Sequence, residues 1–421
     1  MNTFLVIILA IIVARYVLDS LSSMLNVLHL RETLPASFVG IFDDEKYKTS
    51  QRYLRTNTRF GILSDSVSTV LTIAFLTLGG FNAVDQMARS ASSHTIVSGL
   101  VFAATLILIS KIASLPFDLY DTFVIEARFG FNKTTPRTYV ADYVKGLVLV
   151  ALIGGPVFAG MIWFFETTGT HAWLYVWAGM SALQLLLMFV APVVIMPLFN
   201  KFTPLAEGEL RHAIEAYSQS QNFTIEGIYT MDGSRRSAKS NAFFTGFGRS
   251  RRIVLFDTLI EKQTTQELVA IVAHEMGHYR CGHIPKGIVR AMLHTGISLF
   301  LLSFFIRSPQ LFEAFGMQQP SVYAGIVFFG FLYTPIAFLM GLIESALSRK
   351  HEYEADAFAA KTAGNANALV SALQKLSVDN LSNLTPHPLT VFLEYSHPPV
   401  IERIAALRKI LPPATLEARR Q

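Results

Sequence analysis

The chain has 421 residues, of which 52% are hydrophobic and 15% charged, with a formal net charge of +5. A water-soluble domain carries about a quarter of its residues charged, so this composition excludes a string of ordinary soluble domains and calls for a lipid solvent. The positive excess forms no basic stripe interleaved with aromatics, which argues against nucleic-acid binding, and the single cysteine, Cys281, excludes a disulfide framework.

The first apolar run covers 3–28. No Lys or Arg precedes it, so it reads as a retained anchor rather than a cleaved signal. Arg15 and Asp19 interrupt it four residues apart, on one helix face, where they can pair. Further runs follow at 67–81, 94–115, 146–165 and 173–199, and, after a polar stretch, at 289–306 and 321–347. Each approaches the roughly 20 residues that a spanning helix needs, which predicts seven spans. The connecting segments divide by charge. Segments 31–65, 116–145, 200–286 and the tail after Arg349 are rich in Lys and Arg; 81–93 has only Arg89, 167–172 has none and 307–320 has only Arg307. Basic loops stay in the cytoplasm. The expectation is therefore a mainly α, polytopic membrane protein, its four basic segments cytoplasmic and its N-terminus on the opposite side.

The polar insert reads as a compact α+β unit. Residues 207–220 have helical character, and 224–229 and 252–256 read as strands. Between them lies SNAFFTGFG at 240–248, a strand with an irregular end. Two readings stay open for Asn241, Ala242 and Phe243: a plain core strand, or an exposed edge that binds an extended peptide through main-chain hydrogen bonds.

The insert ends in TTQE at 264–267, a capping box, followed by a buried stripe of Leu268, Ile271 and Val272 and then HEMGH at 274–278. Residues four apart lie one above the other on a helix, so His274 and His278 can hold one zinc ion. Glu275 sits beside them, where a carboxylate can take a proton from water. Cys281 would lie two turns beyond His274, roughly 10 Å along the axis, too far to share the ion.

A catalytic zinc site has three protein ligands. The candidate third is Glu352, in SRKHEYEAD at 348–356, which carries the seventh span into the cytoplasm. Asp356, four residues on, shares its face and could accept a hydrogen bond from a ligand histidine. His351 is offset from that line, and Glu354 is expected to point elsewhere and be solvated. Later, YSHPP at 395–399 fixes an extended turn after His397, and Arg403 falls in a short helix. Either could donate to an oxyanion; capping and packing remain open for both.

Taken together, PLFNKF at 197–202, SNAFFTGFG at 240–248, VLFDT at 254–258, HEMGH at 274–278, SRKHEYEAD at 348–356 and YSHPP at 395–399 make the chain resemble the type I CAAX prenyl proteases. These are integral-membrane zinc metallopeptidases that include the a-factor-converting enzyme. The resemblance implies one zinc ion on His274, His278 and Glu352, with Glu275 as general base. It implies Asn241 to Phe243 as a substrate-binding edge strand, and His397 and Arg403 as groups that steady the transition state. It implies seven helices in a barrel around a water-filled chamber, capped on the cytoplasmic side by a small zincin-like domain. The corresponding divisions are 1–199 (five spans and their loops), 200–288 (the zinc insert), 289–347 (two spans) and 348–421 (a helical part completing the zinc site). It also gives Arg15, Asp19, Lys111 and Glu344 a place facing the chamber. The expected partners are the bilayer and a peptide or protein substrate, cut after a prenylated cysteine. Two alternatives are a broad quality-control protease acting on unprenylated membrane proteins, and a transporter or scaffold with structural zinc.

Overall fold

The computed structural model describes residues 2–246 and 251–410, so Phe247 and Gly248 of the 240–248 stretch lie outside the described residues. Among the described residues, seven helices are long and apolar enough to cross a membrane: Thr3–Leu28, Asp44–Thr77, Thr95–Glu126, Pro136–Thr167, Gly169–Phe199, His283–Phe305 and Val322–Thr362. They match the seven expected runs, but most reach well beyond them. The second begins at Asp44, capped by the Asp43 side chain on the Lys46 N–H, because its first turns are polar and escape a hydropathy reading. The seventh has 41 residues and so measures about 60 Å. The hydrocarbon core is about 30 Å thick, so the last turns of this helix, with Glu352 and Asp356, stand clear of it.

Apolar packing concentrates at two ends. One cluster gathers Ile8, Phe102, Val176 and Tyr323 from the starts of the odd-numbered spans with Leu76, Ile162 and Leu302 from the ends of the even-numbered ones. Antiparallel, alternating spans account for that pattern. The helix Gly80–Ala91, unexpected from the sequence because five of its twelve residues are polar, closes this end. There Asp85 accepts a 2.5 Å hydrogen bond from Tyr323 and pairs with Arg89 at 2.7 Å. The other cluster joins Phe38 and Phe42 to the polar insert and the C-terminal helices through Ile253, Leu255, Ala273, Met276, Leu369 and Leu407. Between the two ends the spans pack loosely. In no span is more than 17% of the most apolar window buried inside the protein, whereas helices in a solid bundle bury a full stripe. The loosely packed middle fits the expected chamber, and a cleft of about 520 Å³ opens between the second and third spans.

The insert carries a four-stranded sheet of β1 (Phe202–Pro204), β2 (Gly227–Met231), β3 (Ala242–Thr245) and β4 (Arg252–Phe256). The order is β1-β2-β4-β3, with β2 and β4 parallel and the outer pairs antiparallel. β2 lies three residues later than the expected 224–229. β3 is an edge strand, in register Ala242 to Leu255 and Phe243 to Val254.

Candidate active site

The helix Thr265–Arg280 holds the histidine motif. Thr264 caps it by accepting from the Glu267 N–H, and the Glu267 side chain reaches back to the Thr264 N–H. The same carboxylate accepts from Ser371 and pairs with Lys375 at 2.6 and 2.7 Å, tying the start of the motif helix to the C-terminal part. Its pKa is depressed: burial opposes this, but those partners outweigh it.

What sets the site is a close crossing. A Cβ at Gly277 would meet the Ala355 backbone, at 2.9 Å from Cα and 3.0 Å from the carbonyl oxygen. Only glycine allows the motif helix to lie so near the seventh span, and this contact presses His274 and His278 against Glu352. His274 Nε2 is 3.2 Å from His278 Nε2 and 3.4 Å from Glu352 Oε2, and His278 Nε2 is 3.2 Å from Glu352 Oε1.

This arrangement suits a cation. The ligand atoms of the three residues all lie within 4.8 Å of one another. Glu352 Oε2 is buried and accepts no hydrogen bond; its charge is met by Arg403 Nη1 at 3.2 Å and His274 Nε2 at 3.4 Å, as a buried carboxylate requires. Burial by itself would lower the His274 pKa, but Asp356 and Glu352 push it up to about 9, so the pocket is built to hold positive charge. Two imidazoles and one carboxylate suit a zinc ion with an open position.

The surrounding groups are fixed. Asp356 Oδ1 is 2.8 Å from His274 Nδ1. Arg403, itself buried, donates to both Asp356 oxygens at 2.7 and 2.8 Å and brings Nη1 to 3.2 Å from Glu352. His397 Nε2 stands at the rim, 3.4 Å from Glu352 Oε1. Glu275 faces the same cleft of about 460 Å³, which Asn241 and Ala242 also line. Burial raises the Glu275 pKa, and His274 and His278 pull against that rise. Phe243 does not line the cleft; its ring packs edge-on against Phe256.

Other placements depart from the sequence reading. Glu354 is not simply solvated: it binds His283 at 2.9 Å. His283 and Asn380 were not expected near the site. Asn380 accepts from the Ser240 N–H at 3.2 Å and lines the cleft, and no periodicity links it to the motif. Arg15 pairs with Asp19 at 2.6 Å, as their spacing allows, and lies over the Phe338 ring; Glu344 pairs with Arg290 at 2.9 Å.

Comparison with known proteins agrees with this geometry. A family model described as the CAAX prenyl protease N-terminal region, five membrane helices, matches 24–201, and that of peptidase family M48 matches 204–411. The CAAX prenyl protease 1 homolog of Oryza sativa is 37% identical over 383 residues, covering 89% of this chain and 90% of the rice protein. CAAX prenyl protease 1 of Saccharomyces cerevisiae is 34% identical over 422 residues, covering 94% and 93%. The crystal structure of S. mikatae Ste24p matches with a TM-score of 0.92 at 34% identity, covering 97% of this chain and 99% of that one.

Proposed function

This chain belongs to peptidase family M48, among its membrane-embedded CAAX prenyl proteases, and on that premise we propose that it is a zinc endopeptidase that cuts a peptide immediately after a prenylated cysteine near a C-terminus. The observation that carries the reading is the convergence of His274, His278 and Glu352 within 4.8 Å, with Glu275 facing the same cleft. His274, His278 and Glu352 would hold a zinc ion, which would supply Lewis-acid polarisation of the scissile carbonyl and acidify the attacking water. Glu275 takes a proton from that water as its oxygen bonds to the carbonyl carbon, then gives the proton to the departing amine nitrogen as the C–N bond breaks. His397 donates to the carbonyl oxygen as negative charge builds on it. Arg403 has two donors occupied by Asp356, so its part is to hold Asp356 and Glu352 in place.

The substrate lies as an added strand along the free edge of β3, with Asn241 and Ala242 beside the scissile bond. The basic segments put the insert and the active site in the cytoplasm and the N-terminus across the membrane. The four chain divisions made on sequence serve as two membrane parts and two halves of one site. The chamber accommodates the prenyl group and the chain that bears it.

The test compares a farnesylated CAAX peptide with its unprenylated twin, with and without a chelator. The proposal expects chelator-sensitive cleavage of the farnesylated peptide at a much higher kcat/KM. Equal rates for the two peptides would remove the prenyl specificity and favour a general membrane protease. Cleavage that survives stripping of the metal would remove the zinc mechanism.

A further inference from the structure

The motif helix stops at Cys281, and Gly282, in the left-handed region at φ +69°, starts the next helix at once. The chain thereby turns back on itself and lays His283 against His278. Their Nδ1 atoms are 3.1 Å apart. The other nitrogen of His283 is 2.9 Å from Glu354 Oε2. His283 is 6% exposed, and its ring stacks on that of His351 with centroids 3.9 Å apart.

A neutral imidazole has one N–H and one lone pair, and that fixes every proton in this row. His278 presents Nε2 to Glu352 and His274. Ligation needs the lone pair there, so the proton of His278 sits on Nδ1 and is donated to His283 Nδ1. His283 then accepts on Nδ1, keeps its proton on Nε2 and donates it to Glu354. We infer that Glu354 and His283 are positioning residues that lock His278 in its metal-binding tautomer and orientation, as Asp356 does for His274. Glu352 and Glu354 divide the work around His278. Two residues apart, they project about 200° apart around the axis, Glu352 to the ligating side of His278 and Glu354 to its outer side.

The same proton assignment decides a second question. The ligand atoms of Cys281, His283 and Glu354 also fall within 4.8 Å of one another. His283 Nε2 cannot bind an ion there while it carries the proton that the relay requires. The inner site therefore takes one ion and the outer group takes none.

This inference rests on the zinc reading above, and its test separates the two. Full-length protein in detergent is titrated with zinc against a competing chelator, for the wild type and for Glu354→Ala, His283→Asn and His283→Leu. Whether the wild type binds zinc at all checks the zinc reading alone; one ion rather than two per chain is what the relay expects. The relay expects affinity to fall about 10- to 100-fold in His283→Leu and Glu354→Ala. It expects partial recovery in His283→Asn, whose amide oxygen can accept from His278, and an unchanged KM at saturating zinc. Cobalt-substituted Glu354→Ala should show shifted visible bands. Glu354 is partly exposed, so its variant decides the matter where His283→Leu fails to fold. Wild-type affinity in Glu354→Ala and His283→Asn, or two ions per wild-type chain, would overturn the relay.

Discussion

At the scale of single residues, the site separates holding an ion from using it. Glu275 faces the cleft but is not one of the three converging ligand residues. Glu275→Gln removes a proton acceptor and leaves a neutral side chain of the same shape. Its zinc content should equal that of the wild type while peptide cleavage falls by at least about a hundredfold, within the range of general-base loss. Full cleavage by this variant would end the general-base assignment. Arg403 is a different case. It is buried and neutralises Asp356 and Glu352. Removing one partner of a buried charge pair leaves the other uncompensated, at about 3–5 kcal/mol. Arg403→Met should therefore lower the unfolding midpoint and weaken zinc together, whereas an oxyanion donor alone would lower kcat with stability intact. Calorimetry beside a zinc titration distinguishes the two.

At the scale of elements, the crossing of the motif helix and the seventh span governs the site. A methyl at position 277 would press on Ala355 backbone atoms at 2.9 and 3.0 Å, and backbone cannot rotate aside as a side chain can. Gly277→Ala should separate the helices, cost about 1–3 kcal/mol and weaken zinc binding even though every ligand is present. Unchanged stability and zinc affinity would show that the crossing tolerates a methyl. Pairings on one helix were legible in the sequence because helical periodicity is local: His274 with His278, and Glu352 with Asp356. The strand at 252–256 was legible too, from its β-branched and apolar run. Contacts that depend on a turn were not. Gly282 gives no hint in sequence that His283 returns to His278, and Glu354 has no periodic relation to either. Hydropathy finds only the apolar parts of long helices, so the polar first turns of Asp44–Thr77 were not placed; the extension of the seventh span through 348–356 was legible from its carboxylate spacing instead.

At the scale of the whole molecule, seven loosely packed spans separate two dense ends. The seven-span count was readable because hydropathy and loop charge are independent signals that agree. The chamber is not written in any local pattern; it depends on how whole helices pack, most densely at their two ends. The sidedness proposed from loop charge is open to labelling. A cysteine introduced by Thr170→Cys, between the fourth and fifth spans, and one by Lys48→Cys, at the start of the second, should react with an impermeant maleimide from opposite faces of sealed vesicles. Thr170→Cys is expected to label only from the non-cytoplasmic face. Labelling of both from one face would contradict the topology.

The measurement that bears most directly on the site is X-ray absorption at the zinc edge of the purified protein. The geometry predicts one zinc ion with two imidazole shells and oxygen donors at about 2.0–2.2 Å and no sulfur. A sulfur shell at about 2.3 Å, which would place the ion on Cys281, or the absence of tightly bound metal, would contradict the site built on His274, His278 and Glu352.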